Sequence, residues 1–283
     1  MATIKTNKKD VIWTYLATFM KVGVGIILMP FILHTFSSDL VGIWTVFMTI
    51  IALANLFDLG FNPTFTRSMV YVYSGAKQIQ KQGLHNVDGD TSIDFSLFKG
   101  LINAMKYFYS RIGLILLTIL LTAGTYYIYR ILQDYSGNKT EIYIAWFILC
   151  VINSYNCYTQ YYDALLKGIG KVKRINQIKV LSSFLYILVA IIMILLKFNL
   201  IAIVCAQVVQ ILSLRLLSQK SFFTKELKTL LLNVVATPVK DVIKPIAPNA
   251  IKLGIVGFAA FLTTRVANII APLYLPLSDV ASY

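Results

Sequence analysis

Two cationic side chains lie inside long apolar stretches and are the residues of this chain best suited to membrane chemistry. Lys21 lies near the middle of the apolar run 11–36, and Arg265 lies inside the run 250–275. A charge at the centre of a membrane-spanning helix is unfavourable by about 2.5–3.5 kcal/mol on insertion scales, so such residues usually serve a function. Both are therefore candidates to meet an anionic group within a bilayer. The alternative for Lys21 is a side chain that snorkels to the interface or pairs inside a bundle.

Small and polar residues share the helical face of Lys21. Thr14, Thr18, Lys21 and Gly25 recur at spacings of 4, 3 and 4 residues, which places them on one side of a helix. The rest of that helix is apolar. This pattern predicts that the face lines an aqueous cavity, and it makes Thr18 a second substrate-cavity candidate beside Lys21.

A second polar stripe follows the apolar run 142–162. Asn153, Asn156, Gln160 and Asp163 recur at spacings of 3, 4 and 3 residues, with several tyrosines close by. Amides and tyrosines hydrogen-bond and stack against sugars, so the first three are predicted to line the substrate cavity. The alternative is that they join packed helices, as Asn and Gln also do. Asp163 and Asp58 are candidates for ion coupling, and a local ion pair or helix cap is the alternative for Asp58.

The composition indicates a membrane protein. Of the 283 residues, 58% are hydrophobic and 13% are charged, whereas a soluble domain carries about 25% charged residues. A spanning helix needs about 20 mostly apolar residues. The sequence therefore predicts an all-α integral membrane protein, a polytopic helix bundle. Its predicted spans are 11–36, 40–61, 112–131, 142–162, 180–198, 200–217 and 250–275.

The basic residues are unevenly distributed among the loops between the predicted spans. The formal net charge is +14, and Lys and Arg crowd alternate loops between the predicted spans. Basic loops face the cytoplasm in membrane proteins, so the N-terminus is predicted to be cytoplasmic. Arg130, Lys197 and Arg215 lie near span ends and are predicted to anchor at interfaces. Because long apolar runs separate the basic residues, membrane lipids are the expected partners and nucleic acid is not.

Two basic segments are also amphipathic. The first covers residues 95–111, and the second lies in the connector 218–244 between the sixth and seventh spans. In the first, one helical stripe is apolar, comprising Phe95, Phe98, Ile102, Met105 and Tyr109. This pattern is typical of a helix that lies in the headgroup layer with lysines facing anionic lipid.

The sequence offers little for catalysis. The three cysteines and two histidines form no ligand cluster, so no metal, cofactor or catalytic residue is assigned and the protein is not expected to be an enzyme. Asp88 and Asp90, followed by Asp94, form the one acidic group that a sugar-nucleotide enzyme could use. A solvated turn is the other interpretation of this loop.

Three stretches resemble a known family. They are DLGFNPTFTRSMVYVYSG (58–75), YYDALLKGIGKVKRINQIKV (161–180) and IAPNAIKLGIVGFAAFLTTRVANII (246–270). Together they resemble the polysaccharide-export branch of the multidrug/oligosaccharidyl-lipid/polysaccharide (MOP) flippases, the Wzx-type O-antigen and capsule flippases. The resemblance implies a MOP/MATE-like fold with two six-helix lobes around a cation-lined cavity. It places Arg67 at the cytoplasmic mouth and makes Lys21 and Arg265 cavity residues by position.

The function implied by the resemblance is alternating-access transport of undecaprenyl-diphosphate-linked oligosaccharide to the outer leaflet of a bacterial inner membrane. Lipid-linked oligosaccharide, the polysaccharide polymerase and the chain-length machinery are the implied partners. The expected organisation is a six-helix lobe (1–217), a connector (218–244) and the start of a second lobe (245–283), as if the chain were truncated. The alternatives are a MATE-like drug or cation antiporter, a membrane-bound sugar transferase or polymerase, and a non-catalytic assembly subunit.

Overall fold

The computed structural model describes residues 8–80, 92–133 and 135–280, and every regular element within them is helical. The α-helices are α1 (Lys8–Thr35), α2 (Ser38–Ala54), α3 (Phe61–Tyr73), α4 (Phe95–Ile119), α5 (Thr125–Ile131), α6 (Lys139–Thr159), α7 (Tyr161–Gly168), α8 (Val172–Leu195), α9 (Asn199–Phe222), α10 (Lys225–Leu232), α11 (Val239–Arg265), α12 (Ala267–Ile270) and α13 (Leu277–Val280). Short 3-10 turns cover Asn55–Asp58 and Ala271–Leu273, and a π-helical turn at Leu120–Gly124 joins α4 to α5.

Seven helical segments in the described part of the chain are long and apolar enough to cross a membrane. They are Lys8–Thr35, Ser38–Asp58, Phe95–Ile131, Lys139–Gly168, Val172–Leu195, Asn199–Phe222 and Val239–Thr264. The prediction of an all-α chain with seven such helices, typical of a multi-pass membrane protein, is confirmed. The two-lobed MOP/MATE-like arrangement and the cytoplasmic N-terminus stay predictions.

The buried apolar residues form two separate cores. One lies between α1, α2, α6, α8 and α9 and contains Phe47, Trp146 and Ile203. The other lies at the end of the bundle where the basic residues collect, between α3, the first half of α4, α7 and the start of α11. We call this end the basic end. Turns α1–α2 and α8–α9 lie at the opposite end, because consecutive long helices run antiparallel.

The amphipathic segment 95–111 is not a separate surface helix, and its location in a headgroup layer stays a prediction. It is the first part of a continuous helical run, Phe95–Ile131, of 37 residues, or about 55 Å. Its stripe residues Phe98, Ile102, Met105 and Tyr109 are buried in the second core. The apolar stripe that suggested lipid contact is instead covered by protein.

The connector is shorter than predicted, because the flanking helices extend into it. Helix α9 continues to Phe222 and α11 begins at Val239, before Pro245 and Pro248. Proline removes a backbone donor and normally ends a helix. Here the helix continues through both prolines, since a stripe on α11 is buried against the second core. That stripe comprises Val242, Ile246 and Ala250.

Helix α11 packs closely against the Leu59-Gly60 turn at the end of the second span. Leu59 and Gly60 adopt φ of 47° and 71°, the left-handed region that favours glycine. A Cβ on Gly60 would lie 2.7 Å from the Ala250 carbonyl oxygen, and a Cβ on Gly254 would lie 2.9 Å from the Leu59 backbone. Two glycines thus allow the seventh long helix to pack onto the end of the second.

Candidate functional site: a polar seam between three spans

A buried ion network joins α6–α7, α8 and α9. Arg215 on α9 is 5% exposed, and its Nη1 donates to Asp163 Oδ1 at 2.8 Å. The other Asp163 oxygen accepts from Lys179 Nζ of α8 at 2.9 Å. Arg215 Nε and Nη2 both donate to Asn156 Oδ1, at 2.9 and 2.6 Å. Two cations therefore hold one carboxylate, which leaves a net positive charge among these side chains.

The polar contacts continue along the same helices, away from the basic end. On α9, Ser213 Oγ donates to Ser182 Oγ of α8 at 3.1 Å. Gln210 Nε2 lies 3.5 Å from Ser183 Oγ, and Gln207 Nε2 lies 3.5 Å from Asn153 Oδ1. We call the whole set the polar seam. Its members are Asn153, Asn156, Asp163, Asn176, Lys179, Ser182, Ser183, Gln207, Gln210, Ser213 and Arg215.

Some buried polar atoms on α6 and α9 have no hydrogen-bond partner among the described residues. They are Gln207 Oε1, Ser154 Oγ and Ser218 Oγ. Ser154 follows Asn153 on α6, and Ser218 lies one turn beyond Arg215 on α9. Buried polar groups are nearly always paired, so these atoms are exceptions, and Gln207 Oε1 is the one that belongs to the polar seam.

A side-chain hydrogen bond joins helix α1 to the seam. Asn176 Nδ2 of α8 donates to Thr14 Oγ1 at 2.7 Å, and Asn176 lies one turn before Lys179. The polar stripe of the first span is therefore linked to the stripe of the fourth through α8. Helices α1 and α6 are not direct neighbours along their lengths, since α1 packs mainly on α8.

The predicted cavity residues divide into two groups. Asn153 is buried, Asn156 and Gln160 are partly buried, and the first two belong to the seam. Lys21 and Thr18 are exposed on the outer face of α1, and Thr18 Oγ1 donates to the Thr14 carbonyl oxygen at 3.0 Å. The structure thus does not place these two beside the α6 residues. Arg265 ends α11, and its side chain lies outside the described part of the structure.

The second candidate for ion coupling, Asp58, lies beside α4 and α6. Its Oδ1 accepts from Tyr109 Oη at 2.5 Å, and both its oxygens accept from the Asn62 backbone N–H at the start of α3. Asn62 Nδ2 in turn donates to the Gln160 carbonyl oxygen at 3.3 Å. Asp58 thus caps α3 while bonding a neutral tyrosine, and no ion pair to it is found among the described residues.

Two further predicted residues, Arg67 and Asp94, lie at the basic end. Arg67 is exposed on α3, a position compatible with the mouth that the resemblance implies. Asp94 accepts from the Ser96 and Leu97 backbone N–H groups and caps α4. Asp88 and Asp90 lie outside the described residues. No group of three or more His, Cys, Asp or Glu side chains that could hold a metal ion occurs in the described part of the chain.

A cavity of about 640 Å³ lies at the opposite end of the bundle, away from the seam. Asp39, Arg130 and Tyr135 line it together with the segment 272–277. Burial and the nearby carboxylates of Asp39 and Glu141 raise the pKa of the Tyr135 phenol. Arg130, predicted as an interfacial anchor, therefore borders a polar cavity at the end of its helix.

Two seam cations were missed at the level of sequence. Arg215 was predicted to anchor at an interface, and Lys179 was counted only among the loop charges. Spacing carries a signal for Arg215, because Gln207, Ser218 and Arg215 recur on α9 at helical intervals. Nothing local shows that this face meets Asp163, which is 52 residues away in the chain.

Comparison with known proteins adds no relative: no family model, no curated protein and no solved structure matches the chain.

Proposed function

We propose that this protein is a multi-pass membrane transporter that moves an anionic, lipid-linked saccharide from the cytoplasmic to the outer leaflet. The observation that supports this proposal most directly is the ion network of the polar seam. Arg215 and Lys179 carry two positive charges against the single carboxylate of Asp163. Lys167 adds a more distant positive charge near Asp163. The network is therefore suited to a further anion such as a diphosphate.

The position of the network within the helices fits this role. Asp163 lies five residues before the end of Lys139–Gly168, and Lys179 and Arg215 each lie seven residues from the basic ends of their helices. Those separations correspond to about 8–10 Å along the helix axis. In the proposed orientation, charges at that depth would lie inside the bilayer near its cytoplasmic face, where the diphosphate of a lipid carrier would enter. Lys179 is 32% exposed, so the network is accessible from one side.

The rest of the seam offers groups that recognise sugars. The amides of Asn153, Gln207 and Gln210 and the hydroxyls of α8 extend from the network toward the opposite end of the bundle. Gln207 Oε1, which has no partner among the described residues, can accept a hydrogen bond from a sugar hydroxyl. A polar path through apolar helices lowers the barrier for a headgroup that hydrocarbon would exclude. Net transport further requires that binding differ between inward-open and outward-open states.

The test measures lipid-linked oligosaccharide on the cytoplasmic leaflet of cells that lack the gene and are complemented with variants of the full protein. Loss of the protein is expected to trap the oligosaccharide inside and to remove surface polysaccharide. Arg215→Lys, which keeps the charge but not both bonds to Asn156, is expected to restore export poorly at normal abundance. Lys220→Ala removes an exposed cation from the same helix as Arg215 and serves as the matched control. Unimpaired oligosaccharide transit without the protein would refute the proposal.

A MATE-like drug or cation antiporter is the second candidate, and Asp58 favours it. This carboxylate lies within a candidate span and bonds Tyr109 rather than a cation, as expected of a group that binds and releases a proton or Na⁺. Under this alternative, Asp58→Asn abolishes drug efflux driven by an ion gradient, and oligosaccharide export does not depend on the protein. Efflux by the variant equal to that of the wild type would exclude this candidate.

A further inference from the structure

A groove at the basic end, separate from the polar seam, carries the features of a lipid-headgroup site. It lies between the first part of α4 and the connector helix α10, with a volume of about 300 Å³. Its walls include Lys99, Lys106 and Lys228, and its apolar surface includes Ile102, Phe223 and Leu232. We call it the lysine groove. No acidic residue is among its lining residues.

The connector wall of the groove is fixed in place by α4. Lys99 Nζ donates to the Leu231 and Val234 carbonyl oxygens at 2.6 and 2.7 Å, and so caps the end of α10. Beyond α10, the Thr237 backbone N–H donates to the Ser96 carbonyl oxygen at 3.2 Å. A Cβ on Gly100 would lie 2.8 Å from Thr237, so the glycine is what lets the connector lie this close. The groove is therefore built into the fold.

The ammonium groups of two of the three lysines are available to bind an anionic ligand. The Lys99 ammonium is used by the two carbonyl groups. Lys106 Nζ lies 5.1 Å from the centre of the Phe223 ring, and Lys228 is exposed on α10. No carboxylate pairs with Lys106 or Lys228 among the described residues. Both lysines line the groove, so an anion bound there would lie near two positive charges.

The depth of the groove matches the phosphate layer of a bilayer. A hydrocarbon core of about 30 Å corresponds to about 20 helical residues. Counted from Ile131 at the opposite end of Phe95–Ile131, that length ends near Arg111, and Lys106 lies about 8 Å further on. Counted from Asn199, it ends near Gln219, and Phe223 lies about 6 Å further on. Both walls thus reach the same level, just outside the hydrocarbon.

The exposed apolar residues of the connector favour a lipid over a soluble anion. Leu232 and Val235 are 78% and 86% exposed, and Leu230 is 42% exposed. Side chains of this kind next to lysines are typical of segments that rest on an anionic membrane surface. A soluble phosphate compound would leave them in water, whereas a phospholipid would cover them with its glycerol and acyl carbons.

We propose that the lysine groove binds the headgroup of an anionic phospholipid of the membrane, with its phosphate between Lys106 and Lys228 and its acyl chains beside Leu232. This site does not depend on the proposed transport function, because none of its residues belongs to the polar seam. The bound lipid fixes α10 at the membrane surface. The connector that leads into the seventh long helix thereby acquires a defined depth.

The experiment measures lipid binding to the purified full-length protein in detergent by native mass spectrometry. Phosphatidylglycerol and phosphatidylcholine are titrated separately, and inorganic phosphate is tested by thermal shift. The protein is expected to retain phosphatidylglycerol preferentially and to be unaffected by millimolar phosphate. Lys106→Gln/Lys228→Gln is expected to weaken phosphatidylglycerol binding about 25-fold, since each interfacial lysine contributes about fivefold. Lys173→Gln/Lys220→Gln, which removes the same charge from the same end, is expected to bind like the wild type.

Several outcomes would overturn the proposal. They are equal retention of the two lipids, stabilisation by phosphate alone, or equal weakening in both double variants. Leu232→Ser provides a second test that does not risk the fold, because this side chain is 78% exposed. It is expected to weaken phosphatidylglycerol binding while circular dichroism and elution volume stay unchanged. Wild-type lipid binding by Leu232→Ser would exclude the assigned apolar wall.

Discussion

Replacing Arg215 by alanine tests the ion network directly. The side chain is 5% exposed and makes one bond to Asp163 and two to Asn156. Breaking a buried ion pair by removing one partner is destabilising by about 3–5 kcal/mol. Because Lys179 still compensates Asp163 after the change, we expect the lower end of that range, about 3 kcal/mol. Asn156 also loses the donors to its side-chain oxygen.

The assay is a double-mutant cycle with Arg215→Ala, Asp163→Ala and the combined variant. Unfolding in mixed detergent is followed by the fluorescence of the three tryptophans. The pair is expected to show a coupling free energy of about 2 kcal/mol, within the range of residues in direct contact. Lys220→Ala on the same helix is expected to leave the free energy of unfolding within about 0.5 kcal/mol of the wild type. A coupling energy below about 0.5 kcal/mol would show that the two side chains do not interact, and would remove the basis of the proposed site.

Two further predictions concern stability. Gly60→Ala is expected to destabilise the protein by about 1–3 kcal/mol, because alanine is strained at φ of 71° and its Cβ meets the Ala250 carbonyl group. The same unfolding assay measures this change. An unchanged unfolding midpoint would contradict the close packing of α11. Asp94→Ala is expected to destabilise by about 1 kcal/mol through loss of the α4 cap, with Asp94→Asn as a control that retains capping. If both Asp94 variants unfolded alike, the capping role would be wrong.

The membrane character of the chain and most of its helices follow from local sequence. Each candidate span is a run of apolar residues whose length is sufficient by itself, so the seven were predictable without tertiary contacts. The stripe on α6 was equally local, because its spacing of 3, 4 and 3 residues defines one helical face. Boundaries were less predictable. The seventh span was predicted to begin at residue 250, whereas α11 begins at Val239 and has Val242 and Ile246 buried in the second core.

Whether the apolar stripe of an amphipathic segment faces lipid or protein depends on what packs against it. Sequence periodicity shows that Phe98 and Met105 share a face, but lipid and protein satisfy the same apolar face equally well. The structure places this face in the second core. It leaves Leu232 and Val235 of the connector exposed instead. The exposed apolar surface is therefore that of the connector, whereas the apolar stripe of segment 95–111 is covered by protein.

By itself, the sequence determined that this protein is a bundle of long apolar helices with polar stripes on two of them. The tertiary structure decided which groups meet. Asp163, Lys179 and Arg215 come from three helices, and their pairing depends on which helices are neighbours and at what register. The same holds for the link from Thr14 to Asn176, across 162 positions of the chain. Helix periodicity sets the face that a residue occupies, but long-range packing sets the partner that this face finds.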